Sequence, residues 1–88
     1  VVGQISFFTV GADEVRAWEI PRNTISQVAA GKIHTDLQRG FIRAEVISWD
    51  KLFECGSLNE ARKQGLLRHE GKEYILQDGE IMHVLFNV

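Results

Sequence analysis

The sequence predicts an α+β fold, a mixed sheet crossed by one helix and carrying short extra helices. Three observations carry that prediction. Runs of β-branched and aromatic residues open and close the chain, at Ile5 to Val10 and Ile81 to Val88. A third run, Phe41 to Ser48, alternates with the period of a strand, and the segment ahead of it has the period of a helix. The chain has 88 residues, 44% hydrophobic and 25% charged, a composition expected of one globular unit over 1–88, too short to divide into two cores. A unit this small buries only about 60% of the surface its unfolded chain exposes, so nearly every long apolar run must serve the one core.

Ile5-Ser6-Phe7-Phe8-Thr9-Val10 is stopped by Gly11 and followed by a second run, Val15 to Ile20, so the pair reads as a hairpin with Asp13 in its turn. Pro21-Arg22-Asn23 breaks the strand. Thr24 then has the chemistry of an N-cap for a short helix across the sheet, with Ile25, Val28 and Ala29 on one face and Gly31 as its stop. In the third strand, alternation puts Ile42, Ala44 and Val46 on one face and Phe41, Arg43, Glu45 and Ile47 on the other. The all-apolar first set is expected to be buried.

Asp50 can cap a helical turn through Leu52 and Phe53, and Ser57 with Glu60 three residues on has capping-box spacing for a second short helix ending near Gly65. Lys72 to Leu76 is expected as a short or edge strand. Gln77-Asp78-Gly79-Glu80 forms a turn in which Gly79 takes positive φ at little cost, leading into a last strand apolar enough for a central position. The resulting order of strand, strand, helix, strand, small helices, strand, strand is the β-grasp (ubiquitin-like) order. Its last strand lies parallel to its first.

Ten basic residues against twelve acidic ones give a formal charge of −2, so attraction to a polyanion must come from a local patch. Cys55 stands alone, which excludes an internal disulfide and a multi-thiolate zinc site; it reads as a small apolar residue at a helix end. No apolar stretch approaches the roughly 20 residues that span a bilayer, so no membrane partner is expected and the cytoplasm is the expected location. The only methionine is Met82 and the chain opens on Val1. It is therefore expected to be a piece of a longer protein with more chain upstream, Val84 to Val88 being the strand that closes it.

The run from Gly31 to Val46, Gly31-Lys32-Ile33-His34-Thr35-Asp36-Leu37-Gln38-Arg39-Gly40-Phe41-Ile42-Arg43-Ala44-Glu45-Val46, joins a helix end, a polar elbow and a strand. It resembles the signature segment of a TGS domain, a small β-grasp module of some tRNA synthetases, some Obg-related nucleotide-binding proteins and the SpoT/RelA alarmone enzymes. Phe7-Phe8-Thr9-Val10-Gly11, Glu14-Val15-Arg16-Ala17-Trp18, Asp78-Gly79-Glu80-Ile81-Met82-His83 and Phe86-Asn87-Val88 extend the likeness. Together they resemble the C-terminal domain of the YchF/Obg-like ATPase family over essentially the whole chain. The resemblance implies a noncatalytic accessory domain whose parent hydrolyses ATP or GTP with Mg on a separate P-loop domain. It also implies a role near the translation apparatus.

The residues themselves offer little chemistry. Gly31-Lys32 and Gly71-Lys72 both lack the earlier glycine and the following Ser or Thr of a phosphate-binding loop, and there is no G-x-G-x-x-G. His34, Thr35 and Asp36 are consecutive, so they point in different directions and cannot form a nucleophile, base and orienter relay. They read either as a hydrogen-bonded turn at the helix end or as a ligand-facing group. His34, His69 and His83 have no spacing that recommends a metal site. Trp18 and Trp49 read as core or sheet-covering residues, with base stacking as the alternative.

One constellation stands out. Arg39 and Arg43 bracket Phe41, and alternation places Phe41 and Arg43 together on the face opposite the core, with Lys32 near by. That group suits phosphate contact and stacking; equally, it suits solvated strand residues and an aromatic that covers a sheet edge. Two functions follow. Either the chain contacts RNA or the ribosome and regulates its parent, or it is a protein-interaction or small-ligand-sensing module docked on the parent's own nucleotide-binding domain.

Overall fold

A computed structural model of the chain describes residues 3–11 and 14–87. The expected turn residue Asp13 and the expected strand-end residue Val88 lie outside them. The elements run β1 (Gln4–Val10), β2 (Val15–Pro21), α1 (Ser26–Ile33), α2 (Thr35–Arg39), β3 (Phe41–Ser48), α3 (Trp49–Cys55), α4 (Leu58–Lys63), β4 (Arg68–Glu70) and β5 (Glu80–Phe86). The sheet has five strands in the order β2-β1-β5-β3-β4. β1 and β5 pair in parallel, and the β1–β2, β3–β5 and β3–β4 pairs are antiparallel. This is the strand order and the central parallel pair that a β-grasp requires, and the mixed α+β expectation is met.

β5 is central because it is covered on both faces, as its nearly continuous apolar sequence demands. On one face α1 and α2 close over Phe7, Ile20, Ala44, Val46, Met82 and neighbouring residues. On the other, α3 and α4 bring Leu52 and Ala61 down onto Ile47 and Ile81. The expected capping box appears as a side-chain cap: Ser57 Oγ accepts from the Glu60 amide at 3.1 Å, and α4 ends just before Gly65, whose φ is 71°. Gly79 has φ 82°, as its turn needs.

The third strand departs from simple alternation. Phe41 pairs with Phe86, but Arg43 pairs with Leu85, so Ile42 is an extra residue in a β-bulge. A one-residue shift moves everything before it to the opposite face. Phe41 therefore joins Ala44 and Val46 in the core at 5% exposure, whereas Ile42, expected to be buried, is 52% exposed. Glu45 and Ile47 are buried too, beneath α3 and α4, so the expectation of one buried face holds only for Ala44 and Val46.

The helix starts also differ from expectation. The Thr24 hydroxyl donates to Pro21 O at 2.6 Å, and α1 begins at Ser26 with no side-chain cap. Its first amides are satisfied from far along the chain, Ser26 N by Tyr74 O at 2.7 Å and Gln27 N by Lys72 O at 3.1 Å. That commitment is why Lys72 to Leu76 is not a strand of the sheet. It forms one isolated bridge, Ile25 to Ile75, and the edge strand is β4 instead. Gly31 lies inside α1, which runs on to Ile33; a Cβ there would run into the Gln38 side chain of α2, whose end would have to shift. Likewise Asp50 sits in the first turn of α3 and Ser48 is the cap residue.

The bulge makes a ranking testable by urea melts. Phe41→Ala should cost about 3–5 kcal/mol as a large-to-small core change. Ile42→Ala, at an exposed site, should stay within about 0.5 kcal/mol. The reverse order would place the bulge elsewhere.

Candidate functional site

The elbow between α1 and α2 is held by His34. Its backbone amide donates to Ala30 O at 3.1 Å, closing α1, and its carbonyl accepts from the Leu37 amide at 3.1 Å, opening α2. Its ring does what a Ser or Asp oxygen usually does at an N-cap: Nδ1 accepts from the Asp36 amide at 3.0 Å. Thr35 is exposed beside it. Asp36 faces Arg39 one turn on, with 3.7 Å between Oδ1 and Nη2, an exposed pair that contributes little to stability.

Lys32 and Arg39 occupy the last turns of α1 and α2, and both are exposed, the Arg39 side chain at 76%. The structure brings them to the side of the sheet covered by α1 and α2. Arg43 is exposed on the other side, in line with Glu45 and Ile47. Phe41, expected beside Arg43 as a stacking surface, is in the core, because the bulge at Ile42 turns it inward. Phe41 thus has no open ring face for a base, and Arg39 and Arg43 do not bracket an aromatic.

Two buried carboxylates escaped the sequence reading. Glu45 is held side-on by Arg62 of α4, with Nη2–Oε1 at 2.7 Å and Nε–Oε2 at 3.3 Å. His69 and His83 stand directly opposite it on β4 and β5, His83 Nδ1 lying 3.6 Å from Oε1. The Arg62 hydrogen bonds hold the Glu45 carboxyl below its ordinary value against the opposing effect of burial, helped by the positive charge of Arg62 and by the two histidines. The second is Glu80, which accepts from the Arg68 guanidinium, from Tyr74 Oη at 2.8 Å and from the Gln77 amide at 2.8 Å. A signal was available in both cases: a lone carboxylate set in an apolar strand needs a partner. Sheet register brings His69 and His83 into one row, yet among the described residues no group of three His, Cys, Asp or Glu could hold a metal ion.

Neither Gly-Lys pair can cradle a nucleotide phosphate. Gly31-Lys32 is in the body of α1, where amides are spent on helical bonds. At Gly71-Lys72 the carbonyls turn inward, both accepting from the Ser26 hydroxyl, which is the wrong polarity for an anion. Neither Gly-Lys segment, then, has the amides of a phosphate-binding loop free to face a nucleotide.

The family model YchF-GTPase_C, described as "Protein of unknown function (DUF933)", matches residues 4–87. The chain belongs to the YchF family. It is 53% identical over 83 residues to the ribosome-binding ATPase YchF of Mycoplasma genitalium, an alignment covering 94% of this chain and 23% of that protein. It is 52% identical over 84 residues to Obg-like ATPase 1 of Oryza sativa subsp. japonica, covering 96% and 21%. The structure of the Schizosaccharomyces pombe YchF GTPase superposes with a TM-score of 0.86 at 38% identity, over 96% of this chain and 22% of that one. This chain therefore spans less than a quarter of the length of these YchF relatives. Among its described residues no helix is long and apolar enough to cross a membrane.

Glu45 makes the stability of this YchF-family fold depend on acid. A carboxyl whose folded pKa lies below its unfolded value stabilises the fold above the unfolded value, here the ordinary 4.5, and loses that contribution as pH falls through the folded value. In urea melts from about pH 7 to about pH 3, the stability gap between wild type and Arg62→Ala should be full at the top and shrink through the acid limb. A gap independent of pH would show that Arg62 does not act through the Glu45 charge.

Proposed function

We propose that residues 1–88 form the noncatalytic, TGS-type C-terminal domain of a longer cytoplasmic YchF-like protein. That parent would hydrolyse ATP or GTP with Mg bound outside this chain. The domain would contact ribosomal RNA phosphates through Lys32 and Arg39 and modulate the parent's turnover. Several relatives are named ribosome-binding ATPases, which supports the partner.

The observation that carries the reading is the elbow itself. Two consecutive short helices each end in an exposed cation, Lys32 and Arg39, and His34 fixes the angle between them by capping the second on the end of the first. Helix ends fixed in this way present the two charges in a set relation, as a phosphate-positioning surface requires. A net charge of −2 means such attraction is local and short in range. Arg43 lies across the sheet, so a rigid RNA surface that meets Lys32 and Arg39 does not meet it at once.

Binding of the full-length parent to ribosomal particles over a range of salt tests this reading. Removing one phosphate-binding cation should reduce the slope of log affinity against log salt by about 0.7 to 0.9, so Lys32→Ala/Arg39→Ala should flatten it by roughly twice that. Arg43→Ala should leave the slope in place. A double variant that folds and keeps the wild-type slope would remove Lys32 and Arg39 from the ribosome-binding surface.

A further inference from the structure

β2 and β4 are the two outer strands of the sheet. β4 has three residues and offers little to pair with; β2 has seven, keeps an unbroken register with β1 from Val15 to Pro21, and carries the chain's one proline at its last residue. The Arg22 amide donates to Gly3 O at 2.8 Å and the Gly11 amide to Glu14 O at 2.7 Å, so the same register continues past both ends of the pair. Alternation in an antiparallel ladder then turns the backbone of Arg16, Trp18 and Ile20 toward β1, and the amides and carbonyls of Val15, Ala17 and Glu19 outward. These three residues are exposed, and among the described residues no strand pairs with them on the outer side. A long, regular edge of this kind is a template for another strand.

The side chains choose the strand. Two copies of β2 can meet antiparallel across a two-fold axis, and an axis through Ala17 sets Ala17 against Ala17 and Val15 against Glu19, so that every outward residue of both copies exchanges backbone bonds. An axis through Arg16 or Glu19 would bring like charges face to face, and one through Trp18 would set Val15 against Pro21, which has no amide hydrogen. The Ala17 register also matches charge. It places Arg16 of each copy directly opposite Trp18 of the other, and the Arg16 guanidinium already lies 5.0 Å from the centroid of its own Trp18 ring. Cation and aromatic face therefore alternate around the axis, an arrangement each contact of which is attractive.

We infer that β2 is a strand-pairing edge whose partner is a second copy of this chain, joined antiparallel about Ala17 so that two five-stranded sheets become one. The inference goes beyond the proposed ribosome contact, which uses the ends of α1 and α2 and not this edge. A single pair of strands is small beside the roughly 1,600 Å² of a standard interface. The association is therefore weak and reversible, and a covalent trap is the measurement suited to it.

The test uses the purified full-length parent with single cysteines placed on β2, oxidised mildly with copper phenanthroline and mapped by mass spectrometry. Ala17→Cys should give a 17–17 disulfide between two copies, because directly opposed Cα atoms lie about 5.5 Å apart. Val15→Cys or Glu19→Cys alone should not, since each stands four residues, about 13 Å along the strand, from its own counterpart. A mixture of those two variants should give the 15–19 disulfide. Absence of the 17–17 product, or equal yields from Val15→Cys and Glu19→Cys alone, would overturn the pairing. If the cysteine variants do not fold, sedimentation at rising concentration decides the point: the wild-type mass should climb toward twice the monomer, and Ala17→Pro, which removes an outward amide and no bond to β1, should stay at the monomer. A wild type that remains monomeric, or a dimer that Ala17→Pro leaves intact, would overturn it as well. Either failure leaves the salt dependence of ribosome binding, and with it the proposed function, untouched.

Discussion

The buried carboxylate of Glu80 is the constraint from which most of the molecule is hung. It sits at the first residue of β5 and takes hydrogen bonds from Arg68 on β4 and from Tyr74 and Gln77 in the segment between the two strands. A carboxylate this deeply placed depends on these hydrogen bonds, Arg68 contributing from a half-exposed position where water screens its charge. Burial, and then the carboxylate it donates to, push the Tyr74 hydroxyl above the ordinary tyrosine range, so it remains a donor throughout the neutral range.

The segment anchored in this way does the work of several missing caps. Tyr74 and Lys72 carbonyls satisfy the first amides of α1, and the Ser26 hydroxyl, fully buried, donates back to Gly71 and Lys72. At its far end Gly79 joins β1 to the start of α3. Loss of Glu80 would therefore be felt at the start of α1, at the start of α3 and along the β1–β5 junction together. An irregular loop here is more deeply integrated than the edge strand β4 that precedes it.

Covering the central strand on both faces also sorts the surface chemistry. α1 and α2 lie over one face and end in the exposed cations Lys32 and Arg39. α3 and α4 cover only part of the other, leaving Trp49, Phe53 and the β2 side of the sheet uncovered. The proposed phosphate contact lies on the α1–α2 side of the sheet.

Local patterns were legible in the sequence because local physics produces them. The β1–β2 hairpin, the apolar last strand, the turn at Gly79 and the Ser57 cap each depend on residues within a few positions of one another. The segment from Gly31 to Val46 carried the family resemblance for the same reason, and the match over residues 4–87 agrees with it. Lys32 was readable as a cation at a helix end, but Arg39 was not, because the elbow that precedes β3 turned out to contain the short helix α2. What the sequence did not disclose was anything decided by a distant partner. The bulge at Ile42 is set by how β3 lies against β5, and one extra residue sends Phe41 inward and leaves Arg43 outward. α1 is capped by carbonyls about one half of the chain away, which is why Thr24 does not play the expected part. Glu45 and Glu80 find Arg62 and Arg68 only once the sheet has formed, and Phe53 is left bare only because α3 has no neighbour on that flank. Periodicity reports which residues can share a face; only packing decides which face is filled, and by what.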